Sequence, residues 1–147
     1  MKTKIRGSIF HLTKSVLFFS IIVILSCTST TVMRLEGNDF KENLPGLWDG
    51  HWSYLSGRSG KERINIIKID GNKVHLTGYS AGGTVSDTDE VYGRIENSTL
   101  SLTWPASWQG GCKDELRMIR DDSNNLILEG PFKCPGLSGK VRLKKIE

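Results

Sequence analysis

The chain has 147 residues, enough for about one domain, and 20 Lys+Arg against 16 Asp+Glu give it a formal net charge of +4. Four of the basic residues, Lys2, Lys4, Arg6 and Lys14, fall in the first 26 positions with no acid among them, so the remaining 16 are balanced by the 16 acids. The folded part therefore lacks the positive surplus that displaces counterions from phosphates, which argues against nucleic acid as a partner, and size and composition argue against a multidomain enzyme, a collagen or a disordered tail.

The first segment is a leader. Basic residues precede the run Val16-Leu-Phe-Phe-Ser-Ile-Ile-Val-Ile-Leu25, and Ser26 and Cys27 follow. A charged start, a short apolar core and a small residue are the parts of a secretory signal. A membrane span needs ~20 apolar residues, and His11, Thr13 and Lys14 stop the apolar run from extending upstream.

Ile24-Leu25-Ser26-Cys27 resembles a bacterial lipobox. The resemblance implies that residues 1–26 are removed and that Cys27 is lipidated and becomes the mature N-terminus. Ordinary cleavage nearby, leaving a free thiol, is the alternative. Two or more acyl chains hold a protein on a membrane where one does so only marginally. Residue 28 is Thr; in the sorting pattern of enteric lipoproteins the absence of Asp there implies the outer membrane, with the face left open.

Residues 27–45 read as the lipidated Cys and a flexible polar tether, with few apolar anchors. As a flexible chain the tether would reach roughly 25 Å, and a short helix over 39–43 is an option within it. Residues 46–147 are then the folded domain.

In that domain period two dominates and no 3.6-residue stripe emerges. Trp48, Gly50, Trp52 and Tyr54 share one face of a first strand. In the second, Ile64 and Ile66 oppose Ile67 and Ile69, which predicts burial on both sides. Asp70-Gly71-Asn72 reads as a hairpin turn. Val74, Leu76 and Gly78 line the third strand, and Val91, Gly93 and Ile95 the fourth. A turn at Asn97-Ser98 leads to Leu100, Leu102 and Trp104 in the fifth. Residues 115–120 form the sixth, 121–125 a turn, and Leu126 and Leu128 mark the seventh. Val141 and Leu143, flanked by Lys140, Arg142 and Lys144, form the eighth.

Eight short antiparallel strands without helices predict an all-β, up-and-down barrel, because closure removes both raw edges. A two-sheet sandwich is the alternative. Gly46-Leu47-Trp48 resembles the Gly-x-Trp opening of the first strand in lipocalins and other calycins. The resemblance implies that Trp48 plugs the closed end of the barrel and that a basic residue of the last strand, here Arg142, covers its ring by cation–π attraction. This chain is shorter than full-sized lipocalins and lacks their helical stretch before the last segment.

Cys112 and Cys134 are equidistant from Ser123, the middle of the turn between strands six and seven. Such residues face each other across an antiparallel hairpin at disulfide distance, and an exported protein meets an oxidising compartment. These two are therefore expected to form a disulfide. Metal binding lacks ligands: there is no C-x-x-C, and only His51 and His75 lie beyond the leader. No cofactor is implied.

Several motifs invite catalytic readings. Gly78-Tyr79-Ser80-Ala81-Gly82 fits G-x-S-x-G, but no His follows Ser80 and the next residues are poor helix material; a glycine-rich connection is expected instead. Asn97-Ser98-Thr99 is a glycosylation sequon that reads as a turn behind a bacterial signal. Asp114-Glu115 would point to opposite faces of a strand, and Asp121-Asp122 reads as a solvated turn. Lys140, Arg142, Lys144 and Lys145 form a basic strand, a solvated face or a contact for anionic lipid.

No nucleophile–base constellation exists, so the chain is expected not to be an enzyme. Two readings remain. One is a tethered barrel that binds a small apolar or amphipathic ligand, with Trp52, Trp104 and Trp108 near the mouth. The other is an interaction or inhibitor module that contacts an envelope or foreign protein through loops 56–60, 81–89 and 105–111. A cavity of ~300 Å³ or more would favour the first; a core packed solid with Trp rings would favour the second. The oligomeric state is open.

Overall fold

The computed structural model describes residues 32–81, 90–107 and 110–146. The leader, Cys27 and Trp108 lie outside the described residues, as does most of loop 81–89.

In chain order the elements are β1 (Met33–Arg34), α1 (Gly37–Asn43), β2 (Gly46–Tyr54), β3 (Ser59–Asp70), β4 (Lys73–Ala81), β5 (Glu90–Glu96), β6 (Thr99–Thr103), β7 (Lys113–Arg120), β8 (Leu126–Cys134) and β9 (Leu137–Ile146). Each strand from β2 to β9 pairs antiparallel with the next, and β9 returns to pair with β2 along Leu47–Tyr54. The result is a closed, eight-stranded, up-and-down barrel, the architecture that the alternation and the lipocalin likeness both implied. Closure leaves no unpaired edge in the wall.

The turns explain the register. Gly71, at φ +62°, lies in the two-residue link between Asp70 and Lys73. Asn97 and Ser98 both hold positive φ, 48° and 56°, between Glu96 and Thr99, which is the backbone that twisted two-residue hairpins demand. Serine is an uncommon choice there, and Ser98 Oγ accepts a 2.8 Å hydrogen bond from the Gly37 N–H at the start of α1. In the longer turn, the Asp121 carboxylate accepts from the backbone N–H groups of Ser123 and Asn125 and from the Asn125 amide. Those bonds hold its pKa below the usual value.

Alternation places Trp48, Trp52, Ile64, Ile66, Val74, Leu76, Leu100, Leu102, Leu116, Met118, Leu128, Val141 and Leu143 in one continuous core. β3 departs from expectation. Its pairing with β4 slips between Ile66 and Lys68, leaving Ile67 as the extra residue of a bulge. Ile67 therefore stays outside, 61% exposed, while the slip turns Ile69 inward beside Val74. The strand is buried on one side only.

The tether expectation fails for residues 32–45. Leu35, Phe40 and Leu44 are buried. β1 pairs with the far end of β7 through Met33 and Arg34, and the Leu35 N–H donates to the Met118 carbonyl at 3.0 Å. Helix α1 then lies across one end of the barrel, where the Lys41 ammonium reaches the Gly71 carbonyl at 3.3 Å. Polar residues dominate this stretch, yet a barrel end exposes an apolar ring that must be covered, and three apolar side chains suffice to cover it. The barrel thus has a closed end, under α1, and an opposite end, here termed the open end, where β2 turns into β3 and β8 into β9.

Candidate functional site

At the closed end the Trp48 indole N–H donates to the Leu44 carbonyl at 2.8 Å. The cation over its ring is Lys145, 5.7 Å from the ring centroid, and not Arg142 as expected. Strand parity is the reason: Val141 and Leu143 face inward, so Arg142 faces outward, where it pairs with Glu129. Lys145 stands directly opposite Trp48 in the β2–β9 register. Its ammonium also donates to the Asn43 carbonyl at 2.6 Å, and partial burial lowers its pKa.

The open end is built differently. β2 contributes Trp52 and Tyr54, β3 Glu62, β4 Ser80, β7 Asp114 and β8 Phe132, all buried; Trp104 follows β6 directly. Trp52 and Tyr54 have ring centroids 4.8 Å apart, and Phe132 lies 5.4 Å from Tyr54 and 6.3 Å from Trp52. Two glycines make room for these rings. A Cβ on Gly78 would come within 2.8 Å of Trp104, and one on Gly139 within 2.5 Å of Phe132.

Both tryptophans described at this end use their indole N–H groups. Trp52 donates to Ser80 Oγ at 2.8 Å, and Ser80 in turn donates to the Lys61 carbonyl at 3.1 Å. Trp104 donates to Asp114 Oδ2 at 2.6 Å. The residues expected at the mouth thus lie at that end of the barrel but inside its wall, and neither Trp52 nor Trp104 offers its ring to an outside partner. Ser80 belongs to strand β4 and not to a loop.

Two acids complete this end. Glu62 and Asp114 are 3% and 2% exposed. Burial pushes the Glu62 carboxyl well above the usual carboxylate range, and the charge of Asp114 adds to the effect. Burial pushes Asp114 up to about 7; the Trp104 hydrogen bond opposes the rise and the charge of Glu115 assists it. Asp114 is thus satisfied by an indole N–H, while Glu62 Oε1 has no hydrogen-bond partner among the described residues. Glu115 points outward as expected and accepts from the Ser101 hydroxyl. Across the interior the charge of Asp114 acts on Glu62, while the charge that acts on Asp114 is that of Glu115, its neighbour in sequence.

Cys112 and Cys134 are joined, with Cα atoms 4.2 Å apart. Their bridge ties β7 to β8 at this same end, where Lys113 pairs with Lys133 and Asp114 with Phe132. The disulfide therefore fixes the strands that carry Asp114 and Phe132.

Glu62 was not singled out from the sequence, and Asp114 only as half of a discarded pair. Parity held the signal: Glu62 continues the inward row of Ile64 and Ile66, and Asp114 that of Leu116 and Met118. An acid in phase with apolar residues is a buried acid. No family model, no curated protein and no solved structure matches the chain, so the likeness to lipocalins rests on the barrel itself.

Proposed function

We propose that the protein is a lipid-anchored envelope lipoprotein whose non-catalytic barrel binds a small amphipathic ligand at its open end. The observation that carries this reading is Glu62: a carboxyl oxygen buried without a hydrogen-bond partner beneath a group of aromatic rings. Burying an unsatisfied polar group is expensive, and folding does not require one at this position, since Leu or Ile would continue the row of Ile64 and Ile66. Such groups concentrate where a ligand supplies the missing partner. The interior nearer the closed end is filled by apolar side chains, which limits the ligand to the level of Glu62 and Asp114.

The lipobox supports the anchor, and the outer membrane is its proposed destination. Five residue steps separate Cys27 from Val32, a span of at most ~18 Å. Because β1 and α1 pack at the closed end, the anchor would hold that end toward the bilayer and turn the open end away from it.

Native mass spectrometry of the full chain, released in detergent from its own host, tests the reading. One small molecule retained per chain is expected. A chain that emerges bare and whose Trp fluorescence does not respond to fatty acids would contradict it.

A second reading, an interaction or inhibitor module, is favoured by a different observation. Leu55, after β2, and Leu137, the first residue of β9, are 79% and 44% exposed at the open end, held together by the Leu55 N–H bonded to the Ser138 carbonyl. If that rim grips an envelope protein, Leu55→Asp should abolish cross-linking to it in intact cells.

A further inference from the structure

Beyond the leader the acids and bases of the chain balance, yet the outer wall of the barrel is not evenly charged. A groove of about 820 Å³ lies on the outside of β7, β8, β9 and β2. Arg34, Arg117, Lys133, Lys140 and Arg142 line it against two acids, Glu115 and Glu129. The strand register shows how it forms. One row across the strands holds Arg117, Glu129, Arg142 and His51, the next Pro131, Lys140 and Ser53, and the next Lys113, Lys133 and Ser138. Pro131 and the two serines are short, so the outer surface dips between the long side chains around them.

The two acids do not neutralise this wall. Glu129 is shared by the guanidinium groups of Arg117 and Arg142, and Glu115 accepts from Ser101 on β6. Lys133 and Lys140 have neither an ion pair nor a hydrogen bond among the described residues. Lys113 stands directly opposite Lys133, and like charges so placed lower stability. Unpaired lysines commonly guard the edges of sheets, but β8 and β9 each have a partner strand on both sides, so no edge here needs guarding. Lys133 pairs with Ser138 and Lys140 with Pro131. The two lysines are therefore diagonal neighbours, about 7–8 Å apart at the backbone, close enough for both ammonium groups to hold one anion.

We propose that this groove binds a phosphate monoester with a small apolar arm, its phosphate held by Lys133 and Lys140 and its arm laid over Pro131 and Leu55. All four residues line the groove, as do Ser53 and Ser138, whose hydroxyls are further donors to the phosphate. The site lies on the outer wall, so it stands apart from the reading of the barrel interior. Charge selects the ligand class. A phosphate monoester carries roughly two negative charges near neutral pH and matches two unpaired lysines. A carboxylate, or the phosphodiester of a membrane lipid, carries one and leaves a lysine unmatched. Charge-assisted bonds from lysine ammonium groups, point charges on flexible stems, suit a tetrahedral oxyanion.

Isothermal titration of phenyl phosphate into the full chain in dodecyl maltoside micelles at pH 8, corrected with empty micelles, tests the assignment. One-to-one binding is expected, weaker by about fivefold or more in each of Lys133→Gln and Lys140→Gln and weaker again as added salt screens the lysines. Benzoate lacks the second charge and inorganic phosphate lacks the apolar arm, so each should bind less tightly than phenyl phosphate. Both lysines are exposed, and thermal unfolding verifies that the variants keep the fold. Lys68→Gln removes an exposed cation of β3 outside the groove and should leave binding unchanged. No binding of phenyl phosphate would overturn the assignment. So would equal binding of benzoate or inorganic phosphate, unchanged affinity in the Lys133→Gln/Lys140→Gln double variant, or an equal loss in Lys68→Gln.

Discussion

The two ends of this barrel solve the same problem in opposite ways. The closed end covers its apolar ring with Phe40 and Leu44 of the α1 segment, and the polar groups that hold this cover are paired: the Trp48 indole with Leu44, the Lys145 ammonium with Asn43. The open end buries two acids, leaves an oxygen of one without a partner among the described residues, and has a disulfide tying β7, which carries Asp114, to β8. One end is organised for stability. The other carries a group that lowers stability.

The largest effects should come from the elements that hold each end. Phe40→Ala removes a fully buried ring from the α1 cover and should cost about 3–5 kcal/mol, measured by thermal or denaturant unfolding. A flexible tether at this position would give almost no change. Replacing both Cys112 and Cys134 by Ser should cost on the order of 3 kcal/mol, with amide hydrogen exchange rising in Lys113–Arg120 and Leu126–Cys134 near the open end before it rises around Trp48. A uniform rise would erase the contrast between the ends. Lys145→Met should cost about 1 kcal/mol through the lost bond to the Asn43 carbonyl. Arg142→Met should cost less than about 1 kcal/mol, because its pair with Glu129 is exposed. If Arg142 proves the more costly of the two, the assignment of the ring's cover to Lys145 is wrong.

Much of the barrel was legible in the sequence because its signals are local. Alternation, Asp70-Gly71-Asn72, Asn97-Ser98 and the equidistance of Cys112 and Cys134 from Ser123 each report on neighbours a few residues apart or symmetric about one turn. What escaped depended on the closed three-dimensional wall. The bulge at Ile67 is a single slipped residue in an apolar run, so it leaves no mark on composition. Leu35, Phe40 and Leu44 look like stray apolar residues in a polar stretch until a barrel end exists for them to cover. Arg142 was favoured for its charge although its own parity, between Val141 and Leu143, placed it outside. The acid pair was missed for a related reason: Glu62 and Asp114 are far apart in sequence, and only closure brings their inward rows into one interior. Each still carried the trace of burial by falling in phase with apolar residues.

The account turns on the claim that Glu62 and Asp114 are buried acids retained at a cost to stability. Their raised pKa values fix the sign. Below the ordinary carboxylate value both the folded and the unfolded chain hold these protons, and stability is full. As pH rises from about 4 through 7 the unfolded chain releases them first, and stability falls. Thermal unfolding of the full chain between pH 4.5 and pH 8 measures this directly. The wild type should lose roughly 10 °C of Tm over that range, while the Glu62→Gln/Asp114→Asn double variant should lose far less and be the more stable protein at pH 8. A wild-type Tm that does not fall between these values, or a double variant less stable than wild type at pH 8, would contradict it.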